Sequence, residues 1–152
     1  MKLGFSGTQE GMNTKQVIGT TAIICSLSVA YDFEEYHHGC CIGADEMFHK
    51  IIRQLTAFNE GKMIGHPPTV ATKVSSWALD DCDDVWLPQP YLERNEDIAD
   101  VCDALIATPK QQTMALRSGT WATVRYFQKR DKQVYLVLPD GKLRIFKKGD
   151  LV

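Results

Sequence analysis

Short apolar runs closed by glycine, histidine or proline alternate with longer stretches of helical periodicity along the whole chain, and this alternation restricts the fold more than any other feature. Lys2 to Ser6 is apolar and stops at Gly7, and the glycine-rich polar segment after it cannot continue a strand. Asn13 followed by Gln16 has the spacing of a capping box, and Val17, Ile24, Leu27 and Tyr31 recur at helical intervals, so a helix is expected from Thr14 to Tyr31, packed on the first strand. Phe33 to His38 forms a second strand. Past Gly43, Met47, Phe48, Ile51, Ile52 and Leu55 make one apolar helical stripe.

Lys62 to His66, ended by Pro67 and Pro68, is a third strand, and Thr69 to Trp86 is a mixed region whose run from Asp80 to Asp84 is expected in solvent. Tyr91 to Val101 reads as a helix, Ala104 to Ala107 as a buried strand, Gly119 to Lys129 as a helix and Gln133 to Leu138 as a strongly apolar strand. Asp140-Gly141 turns the chain into a last strand, Leu143 to Phe146. Strands separated by helices imply a mostly parallel sheet covered on both faces, with the terminal hairpin as an antiparallel edge. The expected fold is therefore α/β, a Rossmann-like three-layer domain, and 152 residues leave room for one such core, spanning 1–152.

Charge and cysteine usage narrow the function classes. Lys and Arg number 17 against 19 Asp and Glu, so the broad positive field of a non-specific nucleic-acid binder is missing and any anion must be held by a local pocket. The longest uncharged stretch, Val17 to Ala30, is shorter than the ~20 apolar residues of a membrane span, and Thr20, Thr21, Ser26 and Ser28 interrupt it. It follows Glu10 and Lys15 and ends without a small-residue cleavage site, so no membrane partner and a cytoplasmic location are expected. The 5 cysteines contain no Cys-x-x-Cys pair, which fits small core residues better than a disulfide framework or a zinc ribbon.

In an open α/β sheet ligands bind at the carboxyl ends of the strands, which directs attention to the loops after Ser6, His38, His66, Ala107 and Leu138. Gly7-Thr8 offers close backbone approach and a hydroxyl, or simply a tight turn. Gly39 and Gly43 flank the end of the second strand, and Gly43-Ala44 opens a helix whose N-terminus suits phosphate. Asp45 caps that helix or orients His49 four residues on. A metal drawn from His37, His38, Cys40 and Cys41 is argued against, because adjacent strand residues point to opposite faces and no second ligand pair has zinc spacing. No metal and no cofactor are expected. Ser118-Gly119-Thr120 supplies a second helix N-terminus, with Thr120 and Thr123 as caps or contacts, and Arg94 supplies a guanidinium at the start of another helix.

Taken together, Gly4-Phe5-Ser6-Gly7-Thr8, His38-Gly39-Cys40-Cys41-Ile42-Gly43-Ala44-Asp45, His66-Pro67-Pro68, Tyr91-Leu92-Glu93-Arg94-Asn95 and Arg117-Ser118-Gly119-Thr120-Trp121-Ala122-Thr123 resemble the SLOG superfamily in a small prokaryotic or phage form. That superfamily includes the DNA-processing Smf proteins, the "lonely guy" phosphoribohydrolases and short proteins that bind nucleotide-derived signals. The resemblance implies a Rossmann-like fold and a nucleotide site. The hydrolases carry an Arg-Lys pair and a later PGGxGTxxE motif. Here Arg94 matches the arginine, Asn95 replaces the lysine, and Thr123 stands where the glutamate would be. The longer segment from Lys110 to Ser118 replaces the paired glycines and is expected to lie over the pocket.

The resemblance thus implies binding of a nucleotide or an ADP-ribose-like molecule, without turnover, by Gly7, Thr8, Gly39, Gly43, Ala44, Asp45, Arg94, Asn95, Ser118, Gly119, Thr120 and Thr123. The alternative is an N-glycosidase or deoxyribosyltransferase that recruits another acid, with Asp45, Glu46 and Glu93 as candidates. Arg94 is expected to be removable without cost to the fold. A homo-oligomer is implied as well, since relatives pair through helices and Trp77, Trp86 and Tyr91 suit an interface.

Overall fold

The computed structural model describes residues 1–55 and 60–147. Among these residues seven strands form one sheet: β1 (Lys2–Gly7), β2 (Glu35–His38), β3 (Lys62–Gly65), β4 (Asp84–Val85), β5 (Ala104–Thr108), β6 (Gln133–Val137) and β7 (Leu143–Phe146). Five α-helices among the described residues connect them: α1 (Thr14–Ala30), α2 (Ala44–Leu55), α3 (Ser76–Asp80), α4 (Tyr91–Val101) and α5 (Gly119–Lys129). The strand order is β4-β3-β2-β1-β5-β6-β7, parallel throughout except for the β6–β7 hairpin. Gly141, at φ +87°, makes the turn of that hairpin, and its N–H donates to Leu138 O at 2.8 Å. This is the α/β three-layer architecture that the alternation implied.

The two faces of the sheet carry separate cores because successive strand side chains point to opposite sides. On β5, Ala104 and Ile106 join Leu3, Phe5, Tyr36 and Val137 under α1 and α2, while Leu105 and Ala107 join Val134 and Leu136 under α4 and α5. Phe5 and Phe48 stack at 4.5 Å between centroids in the first core, and Trp121 and Phe127 fill the second.

One expectation about helix placement needs correction. Asn13 and Gln16 do form the capping box of α1, but the face of that helix turned inward is Gln16, Thr20, Ile23, Ile24 and Leu27, with Tyr31 exposed. Gly19 lets α1 reach past β1 to the far strand: a Cβ there would lie 2.8 Å from Val137 Cγ1. The four aspartates of the acidic run are exposed, as expected, with Cys82 half-buried among them, and their carboxylates and backbone are also engaged. Asp84 and Val85 form an edge strand beside β3, Asp83 Oδ2 accepts the Met63 N–H at 2.7 Å, and Asp81 accepts from Arg53 and His49. Among the described residues no helix is long and apolar enough to cross a membrane.

Candidate functional site

The strand order reverses between β1 and β5. Strands β1 to β4 run outward in one direction, and β5 returns to the other side of β1, with Gly7 opposite Thr108. The chains leaving these two carboxyl ends diverge, and a crevice opens at that switch point. It is a cavity of about 870 Å³, within the range of roughly 300–1,000 Å³ usual for small-molecule sites. Its floor is the end of β1, from Phe5 to Thr8, and its walls come from Gly39 and Cys41 after β2, from α4, and from the segment Lys110 to Ser118 leading into α5. That segment is tied down: Lys110 pairs with Glu10 at 2.6 Å, Arg125 Nη2 donates to Leu116 O at 3.3 Å, and Gln112 Oε1 accepts the Asp140 N–H. The cavity is lined by five basic side chains, Lys73, Arg94, Lys110, Arg117 and Arg125, against two acidic ones, Glu10 and Asp45. A chain that is slightly acidic as a whole thus turns a positive surface into its crevice.

The N-terminus of α5 faces this space in an open state. Ser118 caps the helix by accepting the Trp121 N–H at 3.2 Å, and the Ala122 N–H goes to Ser118 O. The N–H groups of Gly119 and Thr120 have no partner among the described residues, as helix geometry requires of a first turn. A Cβ added at Gly119 would find only Asn95 Nδ2, at 3.8 Å.

The N-terminus of α2 differs, because its donors are already used. The Ala44 N–H donates to Thr8 O at 3.0 Å, the Gly43 N–H to Glu46 Oε1 at 3.1 Å, and the Cys41 N–H to Asp45 Oδ2 at 3.1 Å. Gly43 and Ala44 lie outside the cavity lining, and so does Thr123, whose hydroxyl donates to Gly119 O at 2.9 Å and accepts from Ser6 Oγ at 3.4 Å. Gly7, Thr8, Gly39, Asp45, Arg94, Asn95, Ser118, Gly119 and Thr120 do line it. Gly7 serves packing as well: its Cβ position is filled by Ala44 Cβ and Thr108 Oγ1, so glycine is required there for α2 to close on β1.

Arg94 is buried against the back wall. Its Nη1 donates to Gly39 O at 2.7 Å and to His66 O at 3.3 Å, its guanidinium carbon lies 5.3 Å from the Tyr91 ring centre, and its Nε has no partner among the described residues. The arginine therefore joins the loops after β2 and β3, and the expectation that it can be removed without cost to the fold is overturned. Gly39 makes room for it: a Cβ there would collide with Arg94 Nη1 and lie 2.9 Å from Asp45 Oδ2. Burial pushes the Asp45 carboxyl above the usual carboxylate range, against the opposing charges of Arg94 and His38. Of the three candidate acids only Asp45 reaches the cavity. Glu46 is taken up by Ser75 Oγ at 2.7 Å and Trp77 Nε1 at 3.0 Å, and Glu93 is exposed on α4.

All four histidines are buried, in two chains that sequence reasoning missed. His37 donates from Nε2 to Glu35 Oε2 at 2.6 Å, its Nδ1 then accepts from His66 Nε2 at 2.7 Å, and His66 Nδ1 remains without a partner among the described residues. Burial holds His37 below the usual imidazole value and pushes His66 down to about 3. In the second chain the Cys40 N–H donates to His38 Nδ1 at 2.9 Å, so His38 Nε2–H points to His49 Nδ1 at 2.8 Å, and His49 Nε2–H to Asp81 at 2.8 Å. Cys40 and Cys82 meet beside this second chain. The interaction of the two sulfurs pulls the Cys82 thiol down and pushes Cys40 up, while Cys82 Sγ donates to Ala78 O at 3.2 Å. The only trace of Cys82 in the sequence is a single apolar-type residue set inside an acidic run.

No family model matches the chain, and no curated protein matches it. Among solved structures it is similar to the molybdenum cofactor binding protein of the phototrophic bacterium Rippkaea orientalis, with a TM-score of 0.64 and 19% identity over 90% of this chain and 76% of that one. It is also similar to the structural-genomics target TM1055, with a TM-score of 0.58 and 11% identity over 88% of this chain and 71% of that one. At these identities the likeness establishes the fold.

Proposed function

We propose that the chain binds a nucleotide or a nucleotide-derived, ADP-ribose-like molecule in the cavity between β1, α4 and α5, and that it holds this ligand as a sensor or sequestering protein without turning it over. The observation that carries this reading is the pairing, across one cavity, of the unpartnered N–H groups of Gly119 and Thr120 with the buried guanidinium of Arg94. A phosphate accepts from both: helix N-termini favour anions, and an arginine offers charge-assisted donors. The basic lining supports the same assignment, and the volume suits a ligand with more than one ring or phosphate. The fold is shared with a protein named for binding the molybdenum cofactor, which supports ligand binding in general terms. The motif resemblance supports a place in the SLOG superfamily. Ligand-free protein would be titrated calorimetrically with AMP, ADP, ADP-ribose, NAD and the corresponding nucleosides, alongside mass spectrometry of molecules released on denaturation. Binding that requires the phosphate is expected; no binding to any nucleotide overturns the reading.

A second reading rests on Asp45. A carboxyl raised by burial and lining the cavity has the character of a general acid, as glycosidic bond cleavage needs. Release of free base from nucleoside monophosphates or NAD, abolished by Asp45→Asn in a folded protein, would establish this enzyme over the binding protein.

A further inference from the structure

His38, Cys40 and Cys82 bring their ligand-type atoms within 4.8 Å of one another, at a point built by three separate parts of the fold. His38 ends β2, Cys40 follows in the loop after it, and Cys82 follows α3. His49, on α2, stands at the edge of this group of three rather than within it: its Nδ1 is 2.8 Å from His38 Nε2. We propose that these four side chains form a structural zinc site, with Cys40 Sγ, Cys82 Sγ, His38 Nε2 and His49 Nδ1 as the ligands. The argument against a metal from His37, His38, Cys40 and Cys41 holds for neighbours on one strand; here the further ligands come from α2 and from the loop after α3.

Four features of the surroundings fit this chemistry. Two sulfurs and two imidazole nitrogens are one of the closed tetrahedral sets that hold structural zinc, with ligands roughly 3–4 Å apart. His49 donates its other ring N–H to Asp81 Oδ2, which is held in turn by Arg53 at 2.8 Å, the carboxylate–histidine arrangement that fixes a metal-binding tautomer. Cys40 sits at φ +55°, a conformation that a residue with a Cβ rarely adopts, and this turns its side chain toward Cys82. Gly65 leaves the space that the sulfurs occupy: a Cβ there would lie 2.5 Å from Cys40 Sγ and 3.0 Å from Cys82 Sγ.

Binding has a defined proton balance. Each thiol loses its proton to solvent as the zinc–sulfur bonds form, so two protons leave per ion. His38 gives up the Nε2 proton now shared with His49 and takes one at Nδ1, which releases the Cys40 N–H from that nitrogen. The ion would tie β2, α2 and the loop after α3 together behind Gly39 and Cys41, and so stiffen one wall of the cavity.

The test uses the whole chain, purified under reducing conditions and titrated with Co(II) as a spectroscopic probe, with zinc content measured by elemental analysis. Thiolate-to-cobalt charge-transfer bands, the intense visible bands of a tetrahedral ion and their displacement by stoichiometric zinc are expected. Cys82→Ser should lose them, and Cys25→Ser, at an exposed cysteine on α1, should keep them. The cobalt spectrum of the parent needs no variant to fold. If the reduced parent takes up neither ion while both thiols remain titratable, the proposal is wrong. If Cys40 and Cys82 join in a disulfide without reductant and no ion binds in its presence, the pair is a redox couple and the metal site falls.

Discussion

Gly119→Val isolates the proposed phosphate contact because the structure removes the competing explanation. Gly119 is the first residue of α5, its φ is not in the left-handed region, and the nearest atom to an added Cβ is 3.8 Å away. The unliganded fold therefore has room for valine. Replacing glycine in a conformation that other residues adopt also restricts the unfolded chain, so stability should stay within about 0.5–1 kcal/mol of the parent, on the stabilising side if it moves. A change of that size moves the melting temperature by only ~2–4 °C in a domain of this length. Binding should respond differently, since the branched side chain would project toward the phosphate that accepts from the Gly119 and Thr120 N–H groups. Loss of one charge-assisted bond, worth about 1.5–3 kcal/mol, weakens affinity roughly 10- to 100-fold. Thermal denaturation without ligand reads the first quantity, and calorimetric titration with ADP-ribose or ADP well below the transition reads the second. Unchanged affinity in a folded variant would show that no ligand phosphate lies at this helix.

Arg94→Ala should lower both stability and affinity. The carbonyls of Gly39 and His66 lose their donor, a cost of about 1–3 kcal/mol in chemical denaturation, and phosphate-dependent binding should fall further in the fraction that remains folded. Gly39→Ala should destabilise by about 1–3 kcal/mol through overpacking, because its methyl group meets Arg94 Nη1; a melting curve equal to the parent's would mean that the guanidinium does not occupy that place. Acid should weaken the fold through His66. Its native pKa of about 3 lies below the ordinary 6.5, so below the latter the unfolded chain binds a proton that the native state refuses. The contribution is intact above 6.5 and is lost as the pH falls toward 3, amounting to roughly 2 kcal/mol by about pH 5. His66→Gln should flatten that limb of the stability profile; parallel limbs in parent and variant would refute the assignment. Asp45→Asn keeps an acceptor for the Cys41 N–H, so it should leave the melting temperature within a few degrees of the parent's and show no base release beyond it.

Local chemistry decided most of the elements, and the sequence alone was enough to read those, whereas α3 and β4 formed inside the mixed region from Thr69 to Trp86 and were not read. Helices α4 and α5 and strand β7 begin and end where periodicity, proline and the Asp140-Gly141 turn place them, because each signal acts within a few residues. The parallel sheet and the importance of the strand ends follow from the same alternation. Ser118-Gly119-Thr120 and Gly43-Ala44, however, look alike as helix starts, and only the fold separates them: Thr8 O and Glu46 consume the donors of the second, while the first stays open to the cavity. Arg94 was legible as a cation and illegible as a clamp, since Gly39 O and His66 O reach it from 55 and 28 residues away. The same holds for Cys82, which lies in a run that looks fully solvated until α2 and β2 bring His49, His38 and Cys40 against it. Hydrogen-bond exhaustion and long-range juxtaposition are properties of the packed chain, and no spacing within the sequence encodes them.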